Sequence, residues 1–410
     1  MSEIRRDELI YDWNTAGDPP RPLGRKVEFD DETLRDGLQS PSVTNPPIAK
    51  KIEILHRIND LGIDSADIGL PGAGPRAKED ALALAQEISR AKLFTQANCA
   101  ARTVEADIAP IADIQQKAGI PVEACLFIGS SPIRQYAEDW TIERMLEHTE
   151  KAIAFAVKQG LPVMYVTEDT TRAHPETLRR LYTAAVRLGA KRVCLSDTVG
   201  HATPDGARKL VTFIRGVLAE AGAADVKVDW HGHHDRGLSV INCVAALEAG
   251  ANRVHGCALG IGERVGNAPM DQVLVNLKLI GWIDNDLRKL MQYCQTVSEA
   301  CNVPIPAGYP VVGKDAFETA TGVHAAAVIK AFRKGDTWLA DRVYSAVPAG
   351  EFGLEQRIRI GPMSGRSNVT FWLEKHGIAS SDAVVDRIFQ AAKQSSRLLT
   401  DDEVLALAKG

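Results

Sequence analysis

The apolar and polar positions of the chain repeat one unit many times after residue 26. A short apolar run of β character is followed by a turn and by a segment with apolar residues at helical spacing, which is typical of parallel βαβ units. The predicted strands are residues 27–29, 65–68, 93–97, 123–127, 163–166, 192–195, 226–230 and 253–256. The predicted helices between them include residues 48–61, 78–91, 142–159, 175–188, 205–221, 238–249 and 270–280.

Eight strands that alternate with helices over about 250 residues predict an α/β fold of the (β/α)8 TIM-barrel type. The alternative is an open, doubly wound sheet. The barrel is favoured because no Gly-x-Gly-x-x-Gly follows the first strand and because polar clusters follow many different strands. We therefore predict a barrel over residues 26–285, preceded by an irregular N-terminal arm over residues 1–25.

The pattern changes beyond about residue 281, where the strands stop. Helices are predicted at residues 283–302, 317–334, 368–376 and 381–394. A linker rich in proline and glycine covers residues 303–313, and residues 344–365 look irregular. Residues 286–410 are therefore predicted to form a mainly helical C-terminal appendage of a linker and small subdomains.

The composition excludes several classes of function. The 410 residues carry a net charge of -5 without a basic cluster interleaved with aromatics, so no nucleic-acid partner is expected. No apolar run approaches the roughly 20 residues that span a bilayer, and the charged N-terminus lacks a signal-peptide core. The 7 cysteines are scattered without a Cys-x-x-Cys pair. They indicate buried thiols in a reducing compartment, so we expect a cytoplasmic protein.

Two histidines end the seventh predicted strand. His231 and His233 are two positions apart, so in a strand their side chains point to the same side and can bind one metal ion, whereas His234 points the other way. The alternative is a polar turn in which a histidine caps the next helix. Polar clusters also follow the first, fifth, sixth and eighth strands, at residues 30–39, 167–172, 196–200 and 260–267. Each alone could be a loop or helix cap, but together they predict an active site at the C-terminal face of the barrel.

Four motifs carry a resemblance to a known family. They are Asp31-x-Thr33-Leu34-Arg35-Asp36-Gly37-x-Gln39, Asp197-Thr198-Val199-Gly200, His231-x-His233-x-Asp235-x-Gly237 and Gly260-x-Gly262-Glu263-Arg264-x-Gly266-Asn267. Together they resemble the metal-dependent barrel family of 2-isopropylmalate, homocitrate and citramalate synthases. The related hydroxymethylglutaryl-CoA lyases share the first and third motifs, whereas the fourth is similar to the condensing branch.

The resemblance implies a site for a divalent metal, with Zn, Mg and Mn all suited to its ligands. The implied metal ligands are Asp36, His231, His233 and, as a ligand or near neighbour, Asn267. The metal would hold a 2-oxo acid through its carbonyl and carboxylate oxygens. Arg35 would stabilise the enolate or alkoxide oxygen, unless it only forms a salt bridge to Asp36 or Glu168. Further implied contacts to substrate or metal are Gln39, Glu168 and Thr198 and, on weaker resemblance, Arg102 and Ser131.

A base for the methyl group of acetyl-CoA is implied by Thr321-Gly322-Val323-His324, which resembles a family segment after the barrel. In the family this histidine reaches the active site from the partner subunit, so a homodimer with a swapped C-terminal region is expected. The alternative for His324 is a surface histidine on a helix. Tyr344 resembles a second family residue, but its spacing from His324 looks longer, with residues 332–342 as an apparent insertion.

The chain also departs from the family pattern. Leu38 stands where the family usually has Glu, and Leu70 where an aromatic residue is typical, while His201 and His234 replace Tyr and Asn. Loss of a polar and an aromatic group predicts a pocket that prefers an apolar or bulky 2-oxo acid to 2-oxoglutarate. Only 45 residues follow Gly365, so no leucine-binding regulatory domain is expected.

The expected function is an acyltransferase that condenses acetyl-CoA with a 2-oxo acid and hydrolyses the thioester, giving a 2-substituted malate. The alternative is a metal-dependent carbon–carbon lyase of the hydroxymethylglutaryl-CoA lyase type. A non-catalytic binding protein on a decayed barrel is a third possibility, and it is disfavoured because Arg35 and every implied metal ligand are present.

Overall fold

A computed structural model of the chain describes residues 6–16 and 23–410. Its centre is a closed barrel of eight parallel strands in sequence order, in which β8 pairs with β1, as the sequence predicted. The strands are β1 Glu28–Asp31, β2 Ser65–Asp67, β3 Gln96–Arg102, β4 Val122–Gly129, β5 Val163–Glu168, β6 Arg192–Asp197, β7 Lys227–Gly232 and β8 Arg253–Gly256.

Seven helices around the barrel begin and end close to the predicted positions: α2 Ile48–Asp60, α3 Pro75–Ala91, α6 Ile142–Lys158, α7 Pro175–Arg187, α8 Pro204–Glu220, α9 Ser239–Glu248 and α10 Met270–Leu279. Two more, α4 Glu105–Ala118 and α5 Pro132–Glu138, were not predicted, and a short α1 at Arg6–Leu9 precedes the barrel in the chain. In the N-terminal arm, residues 1–5 and 17–22 lie outside the described residues. Within the described part of the chain, no helix is long and apolar enough to cross a membrane.

Helix α8 illustrates why these segments are helical. The Thr203 side chain accepts a hydrogen bond from the Gly206 backbone N–H at 3.2 Å, and Pro204 occupies the first turn, where a missing N–H costs nothing. The buried positions recur every three or four residues, at Ala207, Val211, Ile214 and Leu218. One face of the helix is therefore apolar and covers the barrel.

The third strand is the main error of the strand prediction. Residues 93–97 were predicted, but β3 runs from Gln96 to Arg102. Lys92 ends α3 in the left-handed conformation, and Phe94 is exposed in the following loop. The strand itself is built from small buried residues, such as Ala97 and Cys99, which lack the β-branched and aromatic side chains that mark a strand in sequence.

The interior of the barrel contains a buried layer of paired charges. Asp229 of β7 accepts hydrogen bonds from Arg192 of β6 and Arg253 of β8, both at 2.6 Å. Arg253 also crosses the barrel to Glu123 on β4 at 2.8 Å. Although burial alone would raise the pKa of Asp229, the two arginines hold it below its ordinary value. Since Asp229, His231 and His233 alternate along the chain, this charge layer and the two histidines belong to one inward face.

The chain divides into two compact units, and the second comprises Asp286–Ser298 and Val303–Gly410. Its elements include α12 Gly322–Arg333, α13 Thr337–Arg342, α14 Arg366–Lys375, α15 Asp382–Gln394, α16 Asp401–Lys409 and a two-stranded parallel sheet of β9 Glu318–Thr319 and β10 Arg357–Ile358, while α11 Leu290–Cys301 begins in this unit. One of its apolar cores packs Trp372, Leu373 and Ile388 together.

The predicted helix boundaries in this unit need correction. The helix predicted from residue 317 begins at Gly322, because residues 318 and 319 pair with β10 instead. The helix predicted from residue 283 begins at Leu290. Helices α13 and α16 were not predicted, although Thr400 and Glu403 form a reciprocal capping box that marks the start of α16 in the sequence.

Candidate metal centre and active site

A cavity of about 590 Å³ opens among the C-terminal ends of the barrel strands. Its polar lining residues include Glu32, Arg35, Asp36, Asp67, Glu168, Thr198, His231, His233, His255 and Arg264. Its apolar lining residues are Leu70, Ala100, Cys125, Phe127, Met164, Val166 and Cys194. A pocket of this size and mixed lining is typical of a site for a small organic molecule.

Three of the polar lining residues bring possible metal-ligand atoms close together. Oδ2 of Asp36 lies 3.7 Å from Nε2 of His231 and 3.7 Å from Nε2 of His233, and the two Nε2 atoms are 3.4 Å apart. Ligand atoms about 2.1 Å from one ion are about 3.0 Å apart at octahedral angles and about 3.4 Å apart at tetrahedral angles. The observed triangle is close to the tetrahedral spacing. These three residues can therefore hold a divalent metal ion.

The protonation states suit this use. Burial, and next the neighbouring His231, lower the pKa of His233 to about 4, so its imidazole is neutral at pH 7 and offers a lone pair. Burial alone would raise the pKa of Asp36, but Arg35 and the histidines hold it below its ordinary value. A neutral imidazole and a carboxylate are the forms that bind metal.

Asn267 contacts the triad through Asp36. Its Nδ2 donates to Oδ1 of Asp36 at 2.8 Å, and its own Oδ1 is buried without a hydrogen-bond partner. This close approach needs Gly262, which has φ of +146°, because a Cβ there would lie 2.2 Å from Nδ2 of Asn267. The structure thus brings the first and fourth sequence motifs together at one carboxylate.

Arg35 lies among three carboxylates. Its Nε donates to Asp67 at 2.9 Å, one terminal nitrogen donates to Asp36 at 3.1 Å, and the other pairs with Glu32. Burial alone would lower the pKa of Arg35, but Glu32, Asp67 and Asp36 raise it well above its ordinary value. The salt bridge considered from the sequence is therefore present at Asp36, and the guanidinium still lines the cavity.

Three of the other predicted site residues line the cavity: Gln39, Glu168 and Thr198. Burial raises the pKa of Glu168, whose nearest cation is Arg134 at 3.6 Å. Oγ1 of Thr198 accepts the backbone N–H of Asp169 at 2.8 Å, which leaves the hydroxyl hydrogen to donate elsewhere.

Two predicted substrate contacts do not line the cavity. Arg102 is the last residue of β3 and forms a bidentate pair with Asp107, with N–O distances of 2.7 and 3.0 Å. Ser131 is fully buried, caps α5 through Arg134 N–H and donates to Asp169. Their roles as substrate contacts stay predictions.

His324 and Tyr344 belong to the second unit. Their ring centroids are 4.3 Å apart with an interplanar angle of 31°, so the two rings are in contact in a tilted arrangement even though α13 lies between them in the chain. Both side chains are exposed. The expected contribution of His324 and Tyr344 to the active site stays a prediction.

Several cavity residues were missed at the level of sequence. Glu32, Asp67, His255 and Arg264 line the cavity, yet none was assigned a role. Strand alternation could have identified two of them, because Glu32 follows inward-facing Asp30 by two positions, and His255 follows Arg253 likewise. Arg264 joins two loops through bonds to Asp235 and to the carbonyl of Thr198.

The residues that depart from the family pattern do not all lie at the cavity. Leu70 lines the cavity, whereas Leu38 is not among the lining residues. His234 lies outside the metal triad, since its Nδ1 contacts Oγ of Ser239. The direction of His234 is therefore the one that strand alternation predicted.

Comparisons with known proteins identify the family of the chain. A family model described as HMGL-like matches residues 26–297. A probable 2-isopropylmalate synthase of Methanopyrus kandleri is 32% identical over 372 residues, covering 90% of this chain and 70% of the relative. A homocitrate synthase of the same organism is 32% identical over 366 residues, covering 88% and 86%. Equal identity to two differently named synthases does not select a substrate.

A solved structure supports the fold. The HMG-CoA lyase of Bacillus subtilis superimposes with a TM-score of 0.58 at 22% identity, covering 70% of this chain and 98% of that protein. At this level of identity the likeness concerns the architecture alone.

Proposed function

The chain belongs to the HMGL-like family, and within it we propose a metal-dependent acyltransferase that condenses acetyl-CoA with a 2-oxo acid and hydrolyses the thioester with water, which gives a 2-substituted malate and free CoA. The observation that carries the proposal is the triangle of Asp36, His231 and His233 beside Arg35 in one cavity. The names of the two relatives support synthesis rather than cleavage.

The polar residues that line the cavity suit the reacting end of a 2-oxo acid. One carboxylate and two imidazoles leave coordination positions open for the carbonyl and carboxylate oxygens of the substrate, and a divalent ion bound there supplies Lewis-acid charge. Arg35 stays charged and stabilises the oxygen that becomes negative as the new carbon–carbon bond forms. Thr198 donates its hydroxyl hydrogen to the substrate carboxylate.

The condensation also needs a base for the methyl group of acetyl-CoA, which is a weak carbon acid. We assign this proton transfer to His324, because imidazole is the side chain most often used for it. Tyr344, whose ring contacts that of His324, orients the imidazole. In this proposal, two copies of the chain form a dimer, and the second unit of one copy serves the barrel of the other.

The apolar residues that line the cavity favour an apolar substrate side chain. Leu70, Phe127 and Met164 line the same cavity as the metal triad, and burying a hydrocarbon group against them is favourable. The second carboxylate of 2-oxoglutarate would lose its hydration there. We therefore propose a 2-oxo acid with an apolar or bulky side chain as the substrate.

Release of free CoA thiol tests the function. The protein is incubated with acetyl-CoA and a panel of aliphatic, aryl and dicarboxylic 2-oxo acids, with and without a chelator. Thiol release that requires both a 2-oxo acid and metal is expected. Absence of release with every acid, at full metal loading, would reject the acyltransferase, and cleavage of a hydroxyacyl-CoA by the same preparation would support the lyase instead.

A further inference from the structure

A chain of hydrogen-bonding side chains leads from the metal triad into the barrel. Nδ1 of His231 lies 3.3 Å from Oε1 of Glu32, and the same oxygen lies 3.0 Å from Nδ1 of His255. Nε2 of His255 lies 3.0 Å from Oδ2 of Asp229. All four residues are buried. The chain therefore connects a proposed metal ligand to the charge layer of the barrel interior.

The chemistry of these contacts sets the direction of each hydrogen bond. Ionised carboxylates only accept, so His255, placed between Glu32 and Asp229, donates from both of its nitrogens. Nδ1 of His231 faces Oε1 of Glu32 at 3.3 Å, so the carboxylate stabilises a proton on Nδ1 and the lone pair of Nε2 is left facing Asp36 and His233. The contact with Glu32 thus favours the tautomer of His231 that can bind the metal.

Glu32 is itself held in place from several directions. Its second oxygen pairs with Arg35, and its first oxygen faces the two histidines. Behind His255, Asp229 is held by Arg192 and Arg253, both at 2.6 Å. A carboxylate fixed at both oxygens can hold an imidazole ring in one orientation.

Glu32, His231 and His255 also offer three ligand atoms within 4.8 Å of one another. This second group is poorly suited to a metal ion, because both nitrogens of His255 face carboxylates and Oε2 of Glu32 faces Arg35. A hydrogen-bonding role explains these contacts without displacing any partner.

We propose that Glu32, held by His255 and Asp229, is a positioning residue that orients His231 for metal binding. The inference rests on the metal site of the proposed function and does not depend on the identity of the acyl donor or acceptor. Carboxylates that hydrogen-bond to metal-binding histidines raise metal affinity about 10- to 100-fold. Loss of Glu32 should therefore weaken metal binding in the absence of any substrate.

The test measures metal affinity of the full chain by competition between the apoprotein and a chelating dye, with Zn²⁺ and Co²⁺ as probes. In Glu32→Gln, a single amide oxygen cannot serve both Arg35 and the two histidines, so at least one donor loses its acceptor. The expected dissociation constant is about 10- to 100-fold higher than that of the wild type. The visible spectrum of bound Co²⁺ should change as well, since it reports ligand geometry.

A matched control is Glu87→Gln. Glu87 is also a buried carboxylate that pairs with a histidine, His56 at 2.7 Å, and with an arginine, Arg90 at 2.7 Å. It belongs to α3, faces His56 of α2 and does not line the cavity. Its replacement should leave metal affinity unchanged. Circular dichroism and thermal unfolding establish that each variant is folded.

His255→Gln provides a second, independent variant. It removes the support of Glu32 and an edge-to-face ring contact with His231 but leaves the three proposed metal ligands in place, so a loss of about threefold to tenfold is expected. The Glu32→Gln/His255→Gln double variant should lose less than the product of the two single losses, because both act through His231. If Glu32→Gln does not fold, the His255→Gln variant decides the question.

The outcomes separate this inference from the proposed function. A folded Glu32→Gln or His255→Gln protein that binds metal within twofold of the wild type overturns the positioning role, while tight binding by the wild type keeps the metal site. A wild-type protein that binds no divalent ion overturns both.

Discussion

Nδ2 of Asn267 donates a hydrogen bond to Oδ1 of Asp36 at 2.8 Å, across 231 positions of the chain. This contact occupies one oxygen of Asp36 and leaves the other, Oδ2, facing Nε2 of His231 and of His233. The loop after β8 therefore orients the carboxylate supplied by the loop after β1. Such support of a metal-binding carboxylate determines how well the site is formed before the ion arrives.

Gly262→Ala should damage this contact. A Cβ at Gly262 would lie 2.2 Å from Nδ2 of Asn267 and 2.9 Å from Oδ1 of Asp36, so the loop must move. We expect metal affinity to fall at least about tenfold. Gly74→Ala is the matched control, because its φ of +144° is almost the same and a Cβ there meets no atom within 4 Å. Equal metal affinities in the two variants, measured by chelator competition, would contradict the prediction.

Arg35→Lys should separate chemistry from metal binding. A lysine keeps the positive charge among Glu32, Asp36 and Asp67 but cannot donate to all three in the planar geometry of a guanidinium. We expect a loss of about 100-fold or more in kcat, with metal still bound. Metal content by atomic absorption and steady-state kinetics on the same sample make the comparison. Unchanged kcat would exclude Arg35 from transition-state stabilisation.

Deprotonation of His255 should lower the stability of the apoprotein at alkaline pH. Burial opposes its charge, but Asp30, Asp229 and Glu32 raise its pKa to about 9, above the unfolded value of about 6.5. The native state keeps the imidazole of His255 protonated up to about pH 9, whereas the unfolded chain loses that proton above about pH 6.5. The proton therefore stabilises the native state fully below about pH 6.5, and this contribution is lost as the pH rises through 9. Urea unfolding of chelator-treated protein should show that the free energy of unfolding falls over this pH range. If it falls no more steeply in the wild type than in His255→Gln, the prediction is contradicted.

Leu70 and Leu38 should differ in their effect on substrate choice. Leu70 lines the cavity and Leu38 does not, so Leu70→Ala should lower kcat/KM for the preferred apolar 2-oxo acid about tenfold or more. Leu38→Ala is the control and should change it little. Kinetics with 2-oxo acids of matched chain length make the measurement. A wild-type preference for 2-oxoglutarate would contradict the proposed substrate class.

Mixing of two inactive variants tests the proposed contribution of His324 from a partner copy. Arg35→Lys and His324→Gln are each expected to be inactive. If each site combines the barrel of one copy with the second unit of another, half of the dimers in an equimolar mixture are mixed and contain one intact site. About one quarter of the wild-type activity should then return after subunit exchange. If both variants are folded and exchange subunits but no activity returns, His324 either serves the site of its own copy or does not contribute to the site.

Much of the fold followed from local patterns. The alternation of strands and helices predicted all eight barrel strands, because parallel βαβ units require amphipathic helices and buried strands in strict order. The third strand was misplaced because its small residues, such as Ala100 and Cys99, carry little β propensity and are stabilised by burial alone. Helix α13 escaped prediction because it is only 6 residues long.

The sequence by itself determined the barrel and the shared direction of His231 and His233, because side chains two positions apart in a strand point to the same side. Asp36, which follows β1 in a loop, was implied by the resemblance of the first motif. Only the tertiary structure decided which partners these residues receive. Glu32 and His255, separated by 223 positions, meet beneath His231 because β1 and β8 close the barrel. Closure of the barrel brings distant strands together, and local sequence patterns do not specify those contacts.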